Sequence, residues 1–208
     1  MKLQNFSYHE FTQFENVSRE TFIRLNCFVE LLQKWQQTIN LISATTLPDI
    51  WTRHIIDSTQ LYQKIGANEA VVDMGSGAGF PGMVLGIMGI TSMALVESDG
   101  RKVAFLREVA RETKTPIRIF HERAENVSLT DFSVITARGF ASVKNTLNFL
   151  KDGLNSGHKL LLLKGKSYQK ELGEAREDWS FDCETFPSIT DKEGVILSIT
   201  NLKTRSSA

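Results

Sequence analysis

The 208-residue chain is predicted to be an α/β protein: a seven-stranded, mostly parallel, doubly wound sheet behind a helical amino-terminal extension. Three observations predict it. Up to Gly66, apolar residues recur at spacings of three and four. Beyond Gly66, short apolar runs alternate with helical patterns. A glycine-rich turn follows the first of those runs and opens a helix.

Phe22, Leu25, Phe28, Val29, Leu32, Trp35 and Ile39 form one stripe of a helix. Ser18 caps its start and Glu20 lies in its first turn. Pro48 and Asp49 open a second helix carrying Ile50, Ile55, Ile56 and Leu61, and Gly66 ends it. Residues 1–66 are therefore expected to be a helical extension and residues 67–208 the sheet domain. Strands are expected at 70–74, 92–97, 117–120, 132–136 and 159–163, each followed by a helix. Two further strands, at 181–186 and 195–200, follow one another through a turn-rich connection and give the sheet an antiparallel edge.

The turn reads Asp73-Met74-Gly75-Ser76-Gly77-Ala78-Gly79-Phe80-Pro81-Gly82. Glycines there let the chain bend sharply and let a ligand approach the main chain. Two patterns overlap. Gly77, Gly79 and Gly82 fit the dinucleotide fingerprint G-x-G-x-x-G. Gly75, Gly77 and Gly79 fit the G-x-G-x-G turn of S-adenosylmethionine enzymes. Asp73 favours the second, because a carboxylate repels a pyrophosphate but attracts an ammonium or a sulfonium. Glu97 ends the second strand, 20 residues after Gly77, and can accept hydrogen bonds from ribose hydroxyls in either kind of site. A nicotinamide-dependent oxidoreductase and a non-catalytic RNA-binding module remain the alternatives from other classes.

Composition is that of a globular protein, with 41% apolar and 23% charged residues. No apolar run approaches the ~20 residues of a membrane span. The opening MKLQNFSYHEF has no apolar core or small-residue cleavage site, so no leader is expected. Two distant cysteines, Cys27 and Cys183, make no disulfide framework, and a cytoplasmic protein is expected. Net charge is zero, but unevenly spread: residues 1–100 carry −4, residues 101–170 carry +8 and residues 171–208 carry −4. A basic middle segment can face a polyanion. His54 and Asp57, three apart on one helix face, lack the further ligands a metal site needs. They are expected to form a hydrogen-bonded pair that fixes the helix against the sheet domain.

Six segments then occur in a fixed order. They are Asn40-Leu41-Ile42-Ser43, Arg53-His54-Ile55-Ile56-Asp57-Ser58, the glycine turn, Glu97-Ser98 with Arg101-Lys102 and Phe105-Leu106, Ala137-Arg138-Gly139-Phe140-Ala141-Ser142, and Lys164-Gly165-Lys166. Over roughly residues 35–200 the chain resembles the RsmG (GidB) family of bacterial small-subunit rRNA methyltransferases. It differs in having Glu97 where aspartate is common, Ala124 where valine is often seen and Gly139 where alanine is often seen. The resemblance implies a Rossmann-like, class I S-adenosylmethionine-dependent methyltransferase fold. It also implies methyl transfer to N7 of a guanine in the 530 loop of 16S rRNA.

With the resemblance, the cofactor residues expected are Asp73, Gly75, Gly77, Gly79, Phe80, Glu97, Ala124, Glu125 and Arg138. Arg138, at the end of the fourth strand, is also expected to line the reaction pocket, with a salt bridge to Asp73 or Asp57 as its structural alternative. Phe140 can stack on a flipped base or serve as a core aromatic. Arg53, His54, Arg101, Lys102, Lys164 and Lys166 are the candidates for contact with RNA. No metal is expected, and the chain is expected to act as a monomer on rRNA held in a ribosomal particle. The chemistry agrees with N7. That atom carries a free lone pair and needs no general base. The acid/amide-Pro-Pro-aromatic turn that accompanies exocyclic amine methylation is absent, since Thr136-Ala137-Arg138-Gly139-Phe140 stands there. Neither cysteine lies where a C5 methylation nucleophile is needed.

Overall fold

Strands that are apolar on both faces belong inside a sheet covered on both sides. The structure, a computed structural model that describes residues 6–205, has four such strands at its centre. The start of the segment read as leader-free, residues 1–5, lies outside the described residues, as do 206–208. The strands are β1 (Val71–Met74), β2 (Met93–Glu97), β3 (Arg118–His121), β4 (Val134–Arg138), β5 (Lys159–Lys164), β6 (Trp179–Pro187) and β7 (Val195–Thr204). Their order is β3-β2-β1-β4-β5-β7-β6. The first five are parallel, and β7 runs antiparallel to both β5 and β6. This is the expected sheet with its antiparallel edge. The strand order reverses between β1 and β4, and ligands of open α/β sheets bind beside that switch point, at the carboxyl ends of the strands.

The helices are α1 (Tyr8–Phe11), α2 (Arg19–Trp35), α3 (Asp57–Thr59), α4 (Gly82–Met88), α5 (Gly100–Glu112), α6 (Val143–Leu150) and α7 (Tyr168–Asp178). Ser18 caps α2 as expected, accepting from the Thr21 N–H at 3.0 Å. Two expectations fail. The second helix is not continuous: a 3-10 turn at Leu47–Asp49 leads into a π-helical stretch, Trp51–Ile56, then α3, then another 3-10 turn, Tyr62–Lys64. π-helical turns add a residue per turn and occur often at functional sites. The gap after β3 holds only the 3-10 turn Ala124–Asn126. Ser128 and Thr130 there bond to each other and back to the main chain, competing with a helix.

Side chains alternate across the sheet and feed two cores. Val71, Leu95, Val134 and Leu161 pack with α2, α4 and α5. Val72, Val96, Ile135 and Leu160 pack with α6 and with Ala175 of α7. The first core includes Leu25, Phe28, Val29 and Leu32 of α2 as well as Trp51 and Ile55. The Phe28 ring lies 5.1 Å from Phe80 and 6.2 Å from Phe105, centroid to centroid. The amino-terminal helices therefore share one apolar interior with the sheet and fix Phe80 and the stretch that carries His54.

Candidate active site

The glycine turn takes its shape from a buried carboxylate. Asp73 is fully buried and sits beside Thr136 in the β1–β4 register. Its Oδ1 accepts from Thr136 Oγ1 at 2.7 Å and its Oδ2 from the Gly82 N–H at 3.2 Å. A Cβ on Gly82 would stand 2.3 Å from Leu95 and 2.7 Å from Asp73 Cβ, so only glycine closes this turn. Burial raises the Asp73 pKa from 3.8 to about 6, opposed by bonds from Thr136, Ser76 and the Gly82 N–H and by the charge of Arg138. A carboxylate facing the cofactor was expected. Instead Asp73 points from β1 toward α4, one layer behind the loop, and holds the loop in place.

Gly75, with φ +64°, lines a cleft of about 190 Å³ together with Glu97, Ser98, Ala124, Glu125, Phe140 and Phe149. Glu97 spans its floor. Oε2 accepts from the Gly77 N–H at 2.8 Å and Oε1 from the Asp99 N–H at 2.7 Å. The carboxylate thus ties the turn after β1 to the turn after β2, and each oxygen retains acceptor capacity. Gly75, Glu97, Ala124 and Glu125 come together as expected. A nucleoside fits this lining: a main chain bare of side chains at Gly75, a carboxylate for ribose hydroxyls, and apolar surface from Ala124, Phe140 and Phe149. Gly79 and Phe80 do not reach the cleft. A Cβ on Gly79 would meet Met83 at 2.8 Å, inside the core. Phe80 is enclosed by Phe28, by His54 at 5.0 Å and by Arg138, whose Cζ lies 5.0 Å from the ring centre.

Across the switch point lies a second cavity of about 260 Å³, lined by Arg53, His54, Asp57, Arg138, Lys164, Thr190 and Asp191 among others. Arg138 organises it. One terminal nitrogen donates to the Arg53 carbonyl at 2.9 Å and to Asp57 Oδ2 at 3.2 Å. The other donates to His54 Nδ1 at 2.7 Å. His54 Nδ1 is thus the unprotonated nitrogen, and Nε2–H donates to Thr46 Oγ1 at 2.9 Å. Burial, with the charges of Arg138 and Arg53, lowers the His54 pKa from 6.5 to about 3, so the ring is neutral at physiological pH. His54 and Asp57 do not bond to each other as expected; both ring nitrogens are spent elsewhere, and Arg138 joins the pair. Of the two structural partners weighed for Arg138, Asp57 is the one it meets. Phe140 lines the first cleft, its ring against Gly75 and in edge contact with Phe149.

The basic residues do not assemble as one patch. Lys164 bonds Glu171 at 2.8 Å and the Ala141 carbonyl, and its side chain is 11% exposed, so it is structural rather than a free phosphate contact. Arg53 pairs with Asp191 at 3.0 Å on the cavity rim. Arg101 pairs with Asp99 at the start of α5, and neither Arg101 nor Lys102 lines the two cavities. Lys166 is exposed just after β5. Lys144, Lys159, Lys164 and Lys170 pair with Glu177 and Asp178, Glu69, Glu171 and Glu174, all outside residues 101–170. The fold thereby neutralises much of the segment's surplus. Among the described residues no group of three or more His, Cys, Asp or Glu side chains is placed to hold a metal ion. No helix there is long and apolar enough to cross a membrane. Sequence reasoning missed Thr46, Thr190 and Asp191; residues 188–194 carried only the signal of a connection.

A sheet ordered 3-2-1-4-5-7-6, with a nucleoside-sized cleft at the glycine turn and a second pocket across the switch point, defines the class I S-adenosylmethionine-dependent methyltransferase fold. Solved structures of that fold superpose on the chain. The ribosomal protein L11 methylase from Lactobacillus delbrueckii subsp. bulgaricus covers 72% of this chain and 78% of its own, with a TM-score of 0.55 at 14% identity. A point mutant of MtNAS in complex with S-adenosylmethionine covers 87% and 76%, with a TM-score of 0.59 at 12% identity. Residues 22–198 match the family model GidB, rRNA small subunit methyltransferase G. The chain is 45% identical over 185 residues to the ribosomal RNA small subunit methyltransferase G of Paramagnetospirillum magneticum, covering 88% of this chain and 90% of that one. It is 44% identical over 187 residues to that of Rickettsia prowazekii, covering 89% and 97%. The chain belongs to this methyltransferase family.

Proposed function

We propose that this protein, acting as a monomer in the cytoplasm, transfers a methyl group from S-adenosylmethionine to N7 of a guanine in the 530 loop of 16S rRNA within the small ribosomal subunit. The observation that carries the reading is the pair of hollows on either side of the switch point, one built around Glu97 with Gly75 and Phe140 in its lining and the other around Arg138. Family membership supports rRNA as the substrate. The choice of N7 and of the 530 loop rests on the sequence resemblance and on the chemistry of the pocket.

The bound cofactor supplies a methyl group on a positively charged sulfur. Glu97 receives the ribose hydroxyls, Gly75 lets the nucleoside lie against the main chain, and Ala124 and Glu125 border the base. Asp73 acts through the loop, by fixing Gly82 and the turn before it. With the cofactor bound, the guanine N7 lone pair would take the methyl carbon as the carbon–sulfur bond breaks. The products are a cationic 7-methylguanine and neutral S-adenosylhomocysteine. No proton moves, so no base is required; His54 is neutral, and its lone pair is spent on Arg138. Arg138 orients the base through guanine O6 or an adjoining phosphate while Asp57 and His54 hold the guanidinium. Arg53, on the cavity rim, and Lys166, exposed just after β5, are the basic groups nearest the pocket for phosphates.

The test uses small subunits from a strain lacking this activity, incubated with methyl-labelled S-adenosylmethionine and the protein, followed by nuclease mapping and mass spectrometry. Label in one 7-methylguanine of the 530 loop is the expected result. Label in another base or position overturns the site assignment, and no label overturns the substrate.

A further inference from the structure

Methyl transfer to N7 poses a selection problem, because adenine presents an equally bare N7 in the same place. Guanine differs at the groups around the purine ring: O6 accepts, and N1–H and the 2-amino group donate. A pocket that selects guanine must offer an acceptor to those donors, and a carboxylate does so with two parallel bonds.

Two carboxylates line the second cavity. Asp57 takes donors from Thr190 Oγ1 at 2.7 Å, Gln60 Nε2 at 3.1 Å and Arg138 at 3.2 Å, and its side chain is 16% exposed. It is committed to holding Arg138. Asp191 takes one donor on each oxygen, the Glu193 N–H at 3.0 Å on Oδ1 and Arg53 at 3.0 Å on Oδ2, and is 39% exposed. It has both lone pairs and access to spare. Its turn is also fixed in place. Gln60 of the amino-terminal segment receives the Ile189 N–H at 2.8 Å and donates to Ser188 Oγ at 3.3 Å, and Thr190 bonds Asp57. The β6–β7 connection thereby carries a preorganised carboxylate on the cavity rim, held there by its pairing with Arg53.

We infer that Asp191 is the specificity-determining residue of this enzyme, accepting from N1–H and the 2-amino group of the target guanine. The inference rests on the guanine-N7 reading of the same pocket. It is tested with subunits reconstituted around 16S rRNA that carries either guanine or inosine at the target position, since inosine lacks only the 2-amino group. The wild-type enzyme is expected to favour guanine by roughly ten- to 100-fold in kcat/KM, the worth of one hydrogen bond to a charged acceptor. In Asp191→Asn the amide presents one acceptor and one donor. The guanine rate falls and the guanine-to-inosine ratio collapses to within about threefold of unity. Asp191→Glu, which keeps the charge, retains a preference for guanine.

A merely structural role for Asp191 lowers both rates together and leaves the ratio unchanged. That result, or a wild-type enzyme indifferent to inosine, overturns the inference. Failure of the wild-type enzyme to place label at N7 of the guanine substrate overturns instead the reading on which it rests.

Discussion

Two buried titratable groups carry opposite pH signatures. Asp73 has its pKa raised to about 6 by burial. Between pH 4 and 6 the folded chain retains a proton that the unfolded chain has lost, so stability falls as pH rises and the full cost is present above pH 6. His54 has its pKa lowered to about 3. The unfolded chain takes up a proton below pH 6.5 that the folded chain refuses, so stability falls as pH drops. Over pH 4 to 6 the two trends oppose each other, and single variants separate them. The Asp73→Asn variant is expected to gain stability relative to wild type, by about 2 kcal/mol, between pH 4.5 and pH 7.5, read as the difference in Tm at the two pH values. A constant difference contradicts the burial argument. Sequence found Asp73 because its place before a glycine turn is a local pattern. That its carboxylate is buried beneath the turn depends on its pairing with Thr136, 63 residues later, which no local pattern records.

At the scale of elements, the strands and α2 were legible because each buries a face with a clear period. The second helix was not, because its residues serve three masters: Trp51 and Ile55 the core, Arg53 and His54 the pocket, and Gln60 the β6–β7 turn. Meeting all three requires the π-helical winding at Trp51–Ile56. The helix expected after β3 fails because Ser128 and Thr130 bond locally, competing with helical bonds, although Ala124, Leu129 and Phe132 are buried in the core. The amino-terminal helices support the site as well as the fold. We expect Phe28→Ala, which empties the space between Phe80 and Phe105, to cost about 3–5 kcal/mol in denaturant unfolding. We also expect residues 67–208 made without the extension to remain unfolded, as judged by near-ultraviolet circular dichroism. A folded, cooperatively melting fragment contradicts the single-interior argument.

At the scale of the molecule, charge misled where topology did not. The +8 of residues 101–170 could have faced a polyanion, but four of its lysines meet acids from elsewhere in the chain. The division of labour across the switch point is the central claim: Glu97 serves the cofactor and Arg138 the base. Equilibrium binding of S-adenosylmethionine, measured by calorimetry on Glu97→Ala and Arg138→Lys beside methyl transfer by the same proteins, tests it most directly. Lysine keeps a charge for Asp57 but cannot also reach His54 and the Arg53 carbonyl as the guanidinium does. The account predicts that Glu97→Ala loses binding by at least about tenfold. It predicts that Arg138→Lys binds within about threefold of wild type while transfer falls by roughly 100-fold or more. Equal loss of binding in both variants, or full transfer by Arg138→Lys, contradicts it.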